Sequence, residues 1–210
     1  MKTLIAVPCM DQVAAPFAQN LAVMRKDGEV FVSFLIGSLI YDSRNNLAKQ
    51  AIASKSDYVL WLDSDMIFPA DIMTRMHKHM EEGKDIVTGL YFRRKLPFTP
   101  VLFKGLEIKD GQGWHEDYDD YPRDSVFEVA GAGFGCLMLK TSVLEDVALN
   151  YQDWFGPIGG YGEDLSFLIR ARELGYKVWC DSTIKCGHIG QLIVDEGVWD
   201  SMDHGQLGPV

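Results

Sequence analysis

The feature that most constrains the fold is an apolar run, residues 59–62, that ends abruptly in the acidic triplet Asp63, Ser64 and Asp65. A short apolar run bounded by polar residues is typical of a strand buried on both faces of a parallel sheet. Open α/β sheets bind their ligands at the carboxyl ends of such strands. The pattern therefore predicts an α/β protein in which Asp63 and Asp65 lie at the edge of a ligand site.

The spacing of these two acids also suggests what they bind. Side chains two residues apart on an extended chain point the same way. The carboxylates of Asp63 and Asp65 would then suit a hard divalent cation that also carries diphosphate oxygens. The alternative, which the pair alone leaves open, is two acids that are solvated or that cap a helix.

Strands and helices alternate through the first half of the chain. Buried-strand patterns are predicted at 3–7, 30–36, 59–62 and 85–92, and helical patterns at 14–24, at 43–54 with Ser43 as the N-cap, and from Pro69 to Gly83. This alternation indicates a doubly wound α/β arrangement in a single domain. His77 and His79 fall off the apolar stripe of the third helix, so we expect both to be exposed.

The middle of the chain departs from this alternation. Residues 93–123 are rich in glycine and proline and are predicted to form a long functional or mobile loop. Its aromatic residues, Trp114, Tyr118 and Tyr121, would either stack on a sugar ring or cover a neighbouring core. The glycines at 131, 133 and 135 lack dinucleotide-binding spacing, and they predict a close approach of backbone to a ligand or a packed element.

Composition narrows the class of partner and the compartment. The chain has 210 residues and a formal net charge of -10, so nucleic acid is disfavoured as the main partner. The contiguous Arg93, Arg94 and Lys95 are interpreted as a solvated loop. Four scattered cysteines favour a reducing compartment, and no segment has the length of a membrane span or signal peptide. We therefore expect a soluble, cytoplasmic protein.

A second group of candidate residues follows in the last third. Glu163 and Asp164 come after a glycine-rich segment, 159–162, and begin a predicted helix. They are either an acidic first helical turn or carboxylates that face a cleft, one of them as a general base. His188 follows a predicted strand and has glycines nearby, a position from which an imidazole nitrogen could join a metal site.

Four of these features, taken in order, resemble the metal-dependent glycosyltransferases of the GT-A fold, especially family 2. Ser43 to Ala48 is similar to the Arg-Asn helix start of that family, Asp63-Ser64-Asp65 to its D-x-D motif, Glu163-Asp164 to its E-D pair, and His188 to its C-terminal metal-ligand histidine. The resemblance implies a single GT-A domain over 1–190, with a mostly parallel central sheet flanked by helices. The tail, 191–210, is a candidate flap over the site.

The resemblance also implies binding of a nucleotide-diphosphate sugar. Pro8 and Asp11 would lie near the base and Arg44 near the nucleotide. Asp63 would hold the ribose or the metal, and Asp65 and His188 would ligate Mn²⁺ or Mg²⁺. The nitrogen ligand favours Mn²⁺.

Transfer in such a site would need a base when the reaction inverts the sugar configuration. The resemblance implies Asp164 for that role, with Glu163 as the second candidate. The acceptor hydroxyl, on a glycan, a protein or a small molecule, is not identified by the sequence.

Three other functions fit less well. A haloacid-dehalogenase-type phosphatase would carry its D-x-D on the first strand. A nucleotidyltransferase on a related fold would carry a glycine-rich basic loop there, which residues 9–12 lack. A non-catalytic nucleotide-sugar binding protein stays open, although Asp63, Asp65, Asp164 and His188 are all present.

Overall fold

The computed structural model describes residues 1–190; the candidate flap at 191–210 lies outside them. In chain order, the elements are β1 (Lys2–Cys9), α1 (Ala15–Val23), β2 (Glu29–Ile36), α2 (Ile40–Ala53), β3 (Tyr58–Leu62), β4 (Met66–Ile67), α3 (Ile72–Glu81), β5 (Ile86–Leu90), β6 (Leu102–Lys109), β7 (Gln112–Asp117), β8 (Val126–Val129), β9 (Gly131–Ala132), β10 (Cys136–Lys140), α4 (Thr141–Asn150), α5 (Glu163–Glu173), β11 (Val178–Lys185) and β12 (Gly187–His188). Within this part of the chain, every helix is too short or too polar to cross a membrane.

A seven-stranded sheet forms the centre of the molecule, in the order β2-β1-β3-β10-β5-β11-β8. Strands β2, β1, β3, β5 and β11 run parallel to one another, whereas β10 and β8 are antiparallel to their neighbours. The predicted single α/β domain with a mostly parallel central sheet is therefore confirmed. The carboxyl ends of β1, β3 and β5 meet at one edge of this sheet.

Both faces of the sheet are covered by helices. In β1, Leu4 and Ala6 point into one core and Ile5 and Val7 into the other, because alternate residues of a strand face opposite sides. The first core is closed by α2, α4 and α5, and the second by α1 and α3. The buried run of β3 is thus explained: it lies between two cores and needs apolar residues on both faces.

Two smaller sheets extend the fold beside the carboxyl edge. Strand β12 pairs antiparallel with β4, so that His188 is opposite Met66. Strands β7, β6 and β9 form a three-stranded sheet. Most of the region 93–123 is therefore structured by the β6–β7 hairpin, and the prediction of a long loop there was wrong. The hairpin pairs residues from Lys109 with Gln112 at its turn out to Phe103 with Asp117, and Asp110 and Gly111 form the turn.

Three local predictions were also wrong. Helix α2 begins at Ile40, and the Ser43 amide donates to Leu39 O at 2.9 Å, so Ser43 lies inside the helix and is not its N-cap. His77 and His79 are 3% and 8% exposed. Each is buried because a polar partner from another element accepts or donates a hydrogen bond, Thr3 Oγ1 at 2.8 Å for His77 and Asp181 Oδ2 at 2.9 Å for His79.

Candidate active site

The carboxyl edge of the sheet holds a cleft of about 420 Å³. It is lined by residues from the ends of β1 and β3, from the start of α2 and from β12, among them Pro8, Ser43, Asp63, Asp65 and His188. Two further cavities, of about 720 and 380 Å³, adjoin it. Of the predicted nucleotide contacts, Pro8 lines the cleft, whereas Asp11 is exposed in the loop that follows β1.

Asp65 and His188 are brought together by the pairing of β4 with β12. The Ile189 amide donates to Asp65 O at 2.8 Å, and His188 Nε2 lies 3.5 Å from Asp65 Oδ2. Hydrogen bonding of the imidazole to the Asp65 carboxylate, which accepts, raises the pKa of His188 against the effect of burial. Burial alone would raise the pKa of Asp65, but the hydrogen bond and charge of His188 and the charge of Arg94 lower it below its usual value.

The tautomer of His188 follows from its second contact. His188 Nδ1 lies 2.9 Å from Phe92 O, a carbonyl that can only accept, so Nδ1 carries a proton. Histidines that ligate metals commonly donate their other ring N–H in this way. Nε2 is therefore the nitrogen directed at Asp65 and at the cleft.

Arg44 connects the end of β3 to the start of α5. Its side chain is buried, with Nη2 at 2.9 Å from Asp63 Oδ1 and Nε at 3.1 Å from Glu163 Oε1. The guanidinium carbon lies 5.2 Å from the ring centre of Phe134 and 5.7 Å from that of Trp61. Burial would lower the pKa of Arg44, but the neighbouring carboxylates outweigh it and raise that pKa. Its Nη1 is buried without a hydrogen-bond partner within residues 1–190.

Among the carboxyl groups of residues 1–190, Asp164 is the one whose pKa is most changed by its surroundings. Burial is the largest cause, and the charge of Glu163 adds to it, so the pKa of Asp164 is raised to about 6. Arg44 and the Leu165 amide, which donates to Asp164 Oδ1 at 2.7 Å, oppose the shift. A carboxylate with a pKa just below neutrality is suited to accept a proton from a hydroxyl group.

Tyr91, at the end of β5, occupies the centre of this arrangement and was missed by sequence reasoning. Its hydroxyl accepts a hydrogen bond from the Gly135 amide at 3.2 Å, and its ring packs edge-on against His188. A Cβ at Gly133 would lie 2.0 Å from the Tyr91 hydroxyl oxygen. The glycines at 133 and 135 therefore admit a packed element, the Tyr91 ring, which is one of the two alternatives that the sequence left open.

Arg94 was also missed, because three contiguous cations look like a solvated loop. The structure places Arg94 Nη1 in a hydrogen bond with Asp65 Oδ2. Of the aromatic residues for which two roles were open, Tyr118 and Tyr121 contact Phe127 and pack against the core, whereas Trp114 is 42% exposed and lies over Gly105 within the hairpin. The local sequence does not show which of these arginine and aromatic side chains are solvated and which contact other residues; the three-dimensional arrangement does.

The side chains at the cleft are better suited to a metal ion that is also coordinated by a bound ligand than to a metal ion held by the protein alone. Among residues 1–190, no three His, Cys, Asp or Glu side chains are grouped so as to hold a metal ion. Asp65 and His188 supply one oxygen and one nitrogen that face each other, whereas Asp63 Oδ1 is turned to Arg44. Mg²⁺ is commonly bound through one or two carboxylates together with substrate phosphates.

Comparisons with known proteins agree on the architecture. No family model matches the chain, and no curated protein sequence matches it significantly. Among solved structures, A197 from STIV is similar with a TM-score of 0.69 and 21% identity, over 91% of this chain and 87% of that one. A structure of GalNAc-T7 with UDP, GalNAc and Mn²⁺ is similar with a TM-score of 0.61 and 9% identity.

The fold is of the GT-A type. The alignment with GalNAc-T7 covers 91% of this chain but 43% of that one, so this chain spans less than half of it. At these identities the likeness concerns the fold and not the chemistry. The fold of this chain nevertheless presents Asp63 and Asp65 at the carboxyl edge of the sheet, in the lining of the cleft described above.

Proposed function

We propose that this protein is a metal-dependent glycosyltransferase that moves a sugar from a nucleotide-diphosphate sugar to an acceptor hydroxyl. The observation that carries the proposal is the convergence of Asp63, Asp65 and His188 on one cleft of a GT-A fold, with Asp164 joined to them through Arg44 and Glu163. The GalNAc-T7 structure of the same fold contains UDP, GalNAc and Mn²⁺, which supports this class of donor and metal.

The donor would lie across the carboxyl ends of β1 and β3, with its nucleoside beside Pro8 and its diphosphate beside Asp65. Asp65 and His188 would hold the divalent ion, and the nitrogen ligand favours Mn²⁺ over Mg²⁺. When bound, that ion supplies Lewis-acid stabilisation of the departing diphosphate. Asp63, oriented by Arg44, would accept a hydrogen bond from the ribose or from a metal-bound water.

In an inverting transfer, Asp164 takes the proton of the acceptor hydroxyl. The acceptor oxygen forms a bond to the anomeric carbon while the bond from that carbon to the phosphate oxygen breaks, and its electron pair leaves with the nucleoside diphosphate. The pKa of Asp164, about 6, leaves the group mostly ionised at neutral pH and still basic enough to accept a proton. Glu163 is paired with Arg44, so we assign it a positioning role and keep Asp164 as the base.

A panel of donors tests this proposal. Each of the common nucleotide-diphosphate sugars is incubated with the protein in Mn²⁺, in Mg²⁺ or in EDTA, and the release of nucleoside diphosphate is measured. We expect one donor to give metal-dependent release that Asp65→Asn abolishes. The matched control is Asp124→Asn, because Asp124 is an exposed acid whose ion pair within residues 1–190 is with the equally exposed Lys185, and it should behave as wild type.

The alternatives predict other results in the same panel. Release of pyrophosphate from a nucleoside triphosphate and a sugar phosphate would indicate a nucleotidyltransferase. Metal-dependent donor binding without any release, also after glycan, protein and small-molecule acceptors are added, would indicate a non-catalytic binding protein. A folded sample that neither binds nor cleaves any donor in the presence of metal would refute the proposal.

A further inference from the structure

The oxygen of Asp65 that the proposed metal would need is already shared between two side chains. Oδ2 accepts a hydrogen bond from Arg94 Nη1, and His188 Nε2 lies 3.5 Å from the same atom. A divalent cation and a guanidinium on the same carboxylate oxygen repel each other, so a metal bound at Oδ2 weakens the hydrogen bond from Arg94, and Arg94 weakens the binding of the metal. Arg94 and a metal ion thus compete for one atom.

The position of Arg94 lets its side chain exchange partners while its backbone stays in place. The side chain is 52% exposed. Its backbone, in contrast, packs closely on Gly190, where an added Cβ would lie 3.2 Å from both Arg94 Cβ and Arg94 O. The adjacent Arg93 has a different partner, Asp117 Oδ1 at 2.9 Å. Arg94 also lines all three cavities at the carboxyl edge, and Lys95 lines the largest with it.

We propose that Arg94 occupies Asp65 until a metal-bound diphosphate enters, and that its guanidinium then moves to the diphosphate. This inference rests on the proposed function, since it names how that site selects its ligand. A guanidinium matches phosphate oxygens with two parallel hydrogen bonds, so Arg94 regains in the diphosphate the charged partner that it loses at Asp65. A bare metal ion offers no such replacement and must displace Arg94 without compensation.

The consequence is positive coupling between metal and diphosphate. The metal alone binds weakly because it competes with Arg94, and the diphosphate strengthens its binding by accepting Arg94. Couplings between two ligands of one protein are commonly about 5-fold to 150-fold in affinity. The site would in this way discriminate against free divalent cations and favour the complex of metal with nucleoside diphosphate.

The test compares Arg94→Met with Arg93→Met, two substitutions of equal size and charge on adjacent residues. Binding of MnCl₂ alone is measured from the electron paramagnetic resonance signal of unbound Mn²⁺. Binding of ADP, CDP, GDP and UDP is then measured by calorimetry at saturating Mn²⁺. We expect Arg94→Met to bind Mn²⁺ alone at least 5-fold more tightly than wild type, and to bind the preferred nucleoside diphosphate at least 10-fold more weakly. Arg93→Met should match wild type in both measurements.

The outcomes separate this inference from the proposed function. If Asp65→Asn abolishes Mn²⁺ binding while Arg94→Met leaves the Mn²⁺ affinity unchanged, the competition is overturned and the metal site stands. If the folded wild type and Arg94→Met both fail to bind Mn²⁺, with or without a nucleoside diphosphate, both proposals are overturned. Circular dichroism and thermal unfolding establish that each variant is folded.

Discussion

Arg44 on α2 and Glu163 at the start of α5, far apart in the chain, form an ion pair in which Nε lies 3.1 Å from Oε1. The same guanidinium holds Asp63, so one buried cation links the end of β3 to the first turn of α5. This arrangement joins the residues proposed to bind the donor to the residue proposed to accept the proton. It also concentrates charge inside the protein, which makes the site sensitive to the loss of Arg44, Asp63 or Glu163.

Arg44→Met should destabilise the protein strongly. Removing the cation leaves Asp63 and Glu163 partly buried without their partner, and breaking a buried ion pair in this way typically costs about 3–5 kcal/mol. The free energy of unfolding, measured with urea, provides the check. Lys104→Met serves as the control, because Lys104 forms an exposed pair with Asp120 at 3.4 Å. Such a pair contributes at most about 1 kcal/mol, and equal effects of the two changes would contradict the role of Arg44.

The rate of transfer should depend on the protonation of Asp164. A base is active when ionised, and the pKa of Asp164 is raised to about 6 by burial and by Glu163, with a smaller contribution from Asp63 and opposition from Arg44. The rate should therefore increase with pH through about pH 6 and level off above it. Asp164→Asn should lower the rate by about 10²-fold or more while donor binding is retained. Glu163→Gln should keep the pH-dependent rise, and a rate independent of pH between 5 and 8 would count against Asp164.

Asp164→Asn should also stabilise the protein at neutral pH. When a carboxyl group has a higher pKa in the folded protein than in the unfolded chain, its ionisation destabilises the folded protein. This loss of stability is absent at pH values below the pKa of the unfolded chain and is complete at pH values above the pKa of the folded protein. With the pKa raised from 3.8 to about 6, the cost above pH 6 is on the order of 1–3 kcal/mol. Asparagine keeps an oxygen for the Leu165 amide without the charge. Urea unfolding at pH 4 and pH 8 measures this: the gain should appear at pH 8 and shrink at pH 4.

Gly133→Ala should be destabilising because of Tyr91. The added Cβ would lie 2.0 Å from the Tyr91 hydroxyl oxygen, and such overpacking typically costs about 1–3 kcal/mol. Tyr91→Phe removes that oxygen and should recover part of the loss, although Val101 Cγ1 at 2.9 Å still opposes the methyl group. A double-mutant cycle on unfolding free energies measures the recovery. Strictly additive effects of the two changes would show that the hydroxyl is not what Gly133 accommodates.

The sequence by itself determined the elements whose pattern is local. The apolar runs of β1 and β3 and the stripe of Ile72, Met73, Met76 and Met80 on α3 predicted their structures, because burial on one or both sides imposes a period on the chain. The placement of Asp63 and Asp65 after a buried strand likewise predicted their position at the carboxyl edge of the sheet. These inferences need no knowledge of what packs against each element.

Only the tertiary structure decided which side chains meet. Asp65 reaches His188 because β4 pairs with β12, and Arg94 reaches Asp65 from the segment that follows β5. His77 and His79 look like surface residues in the helical pattern but are buried, since Thr3 pairs with one ring nitrogen of His77 and Asp181 pairs with one ring nitrogen of His79. The physical reason is the same in each case: burial of a polar group and competition for a charge depend on partners distant in the chain, and the local sequence carries no record of them.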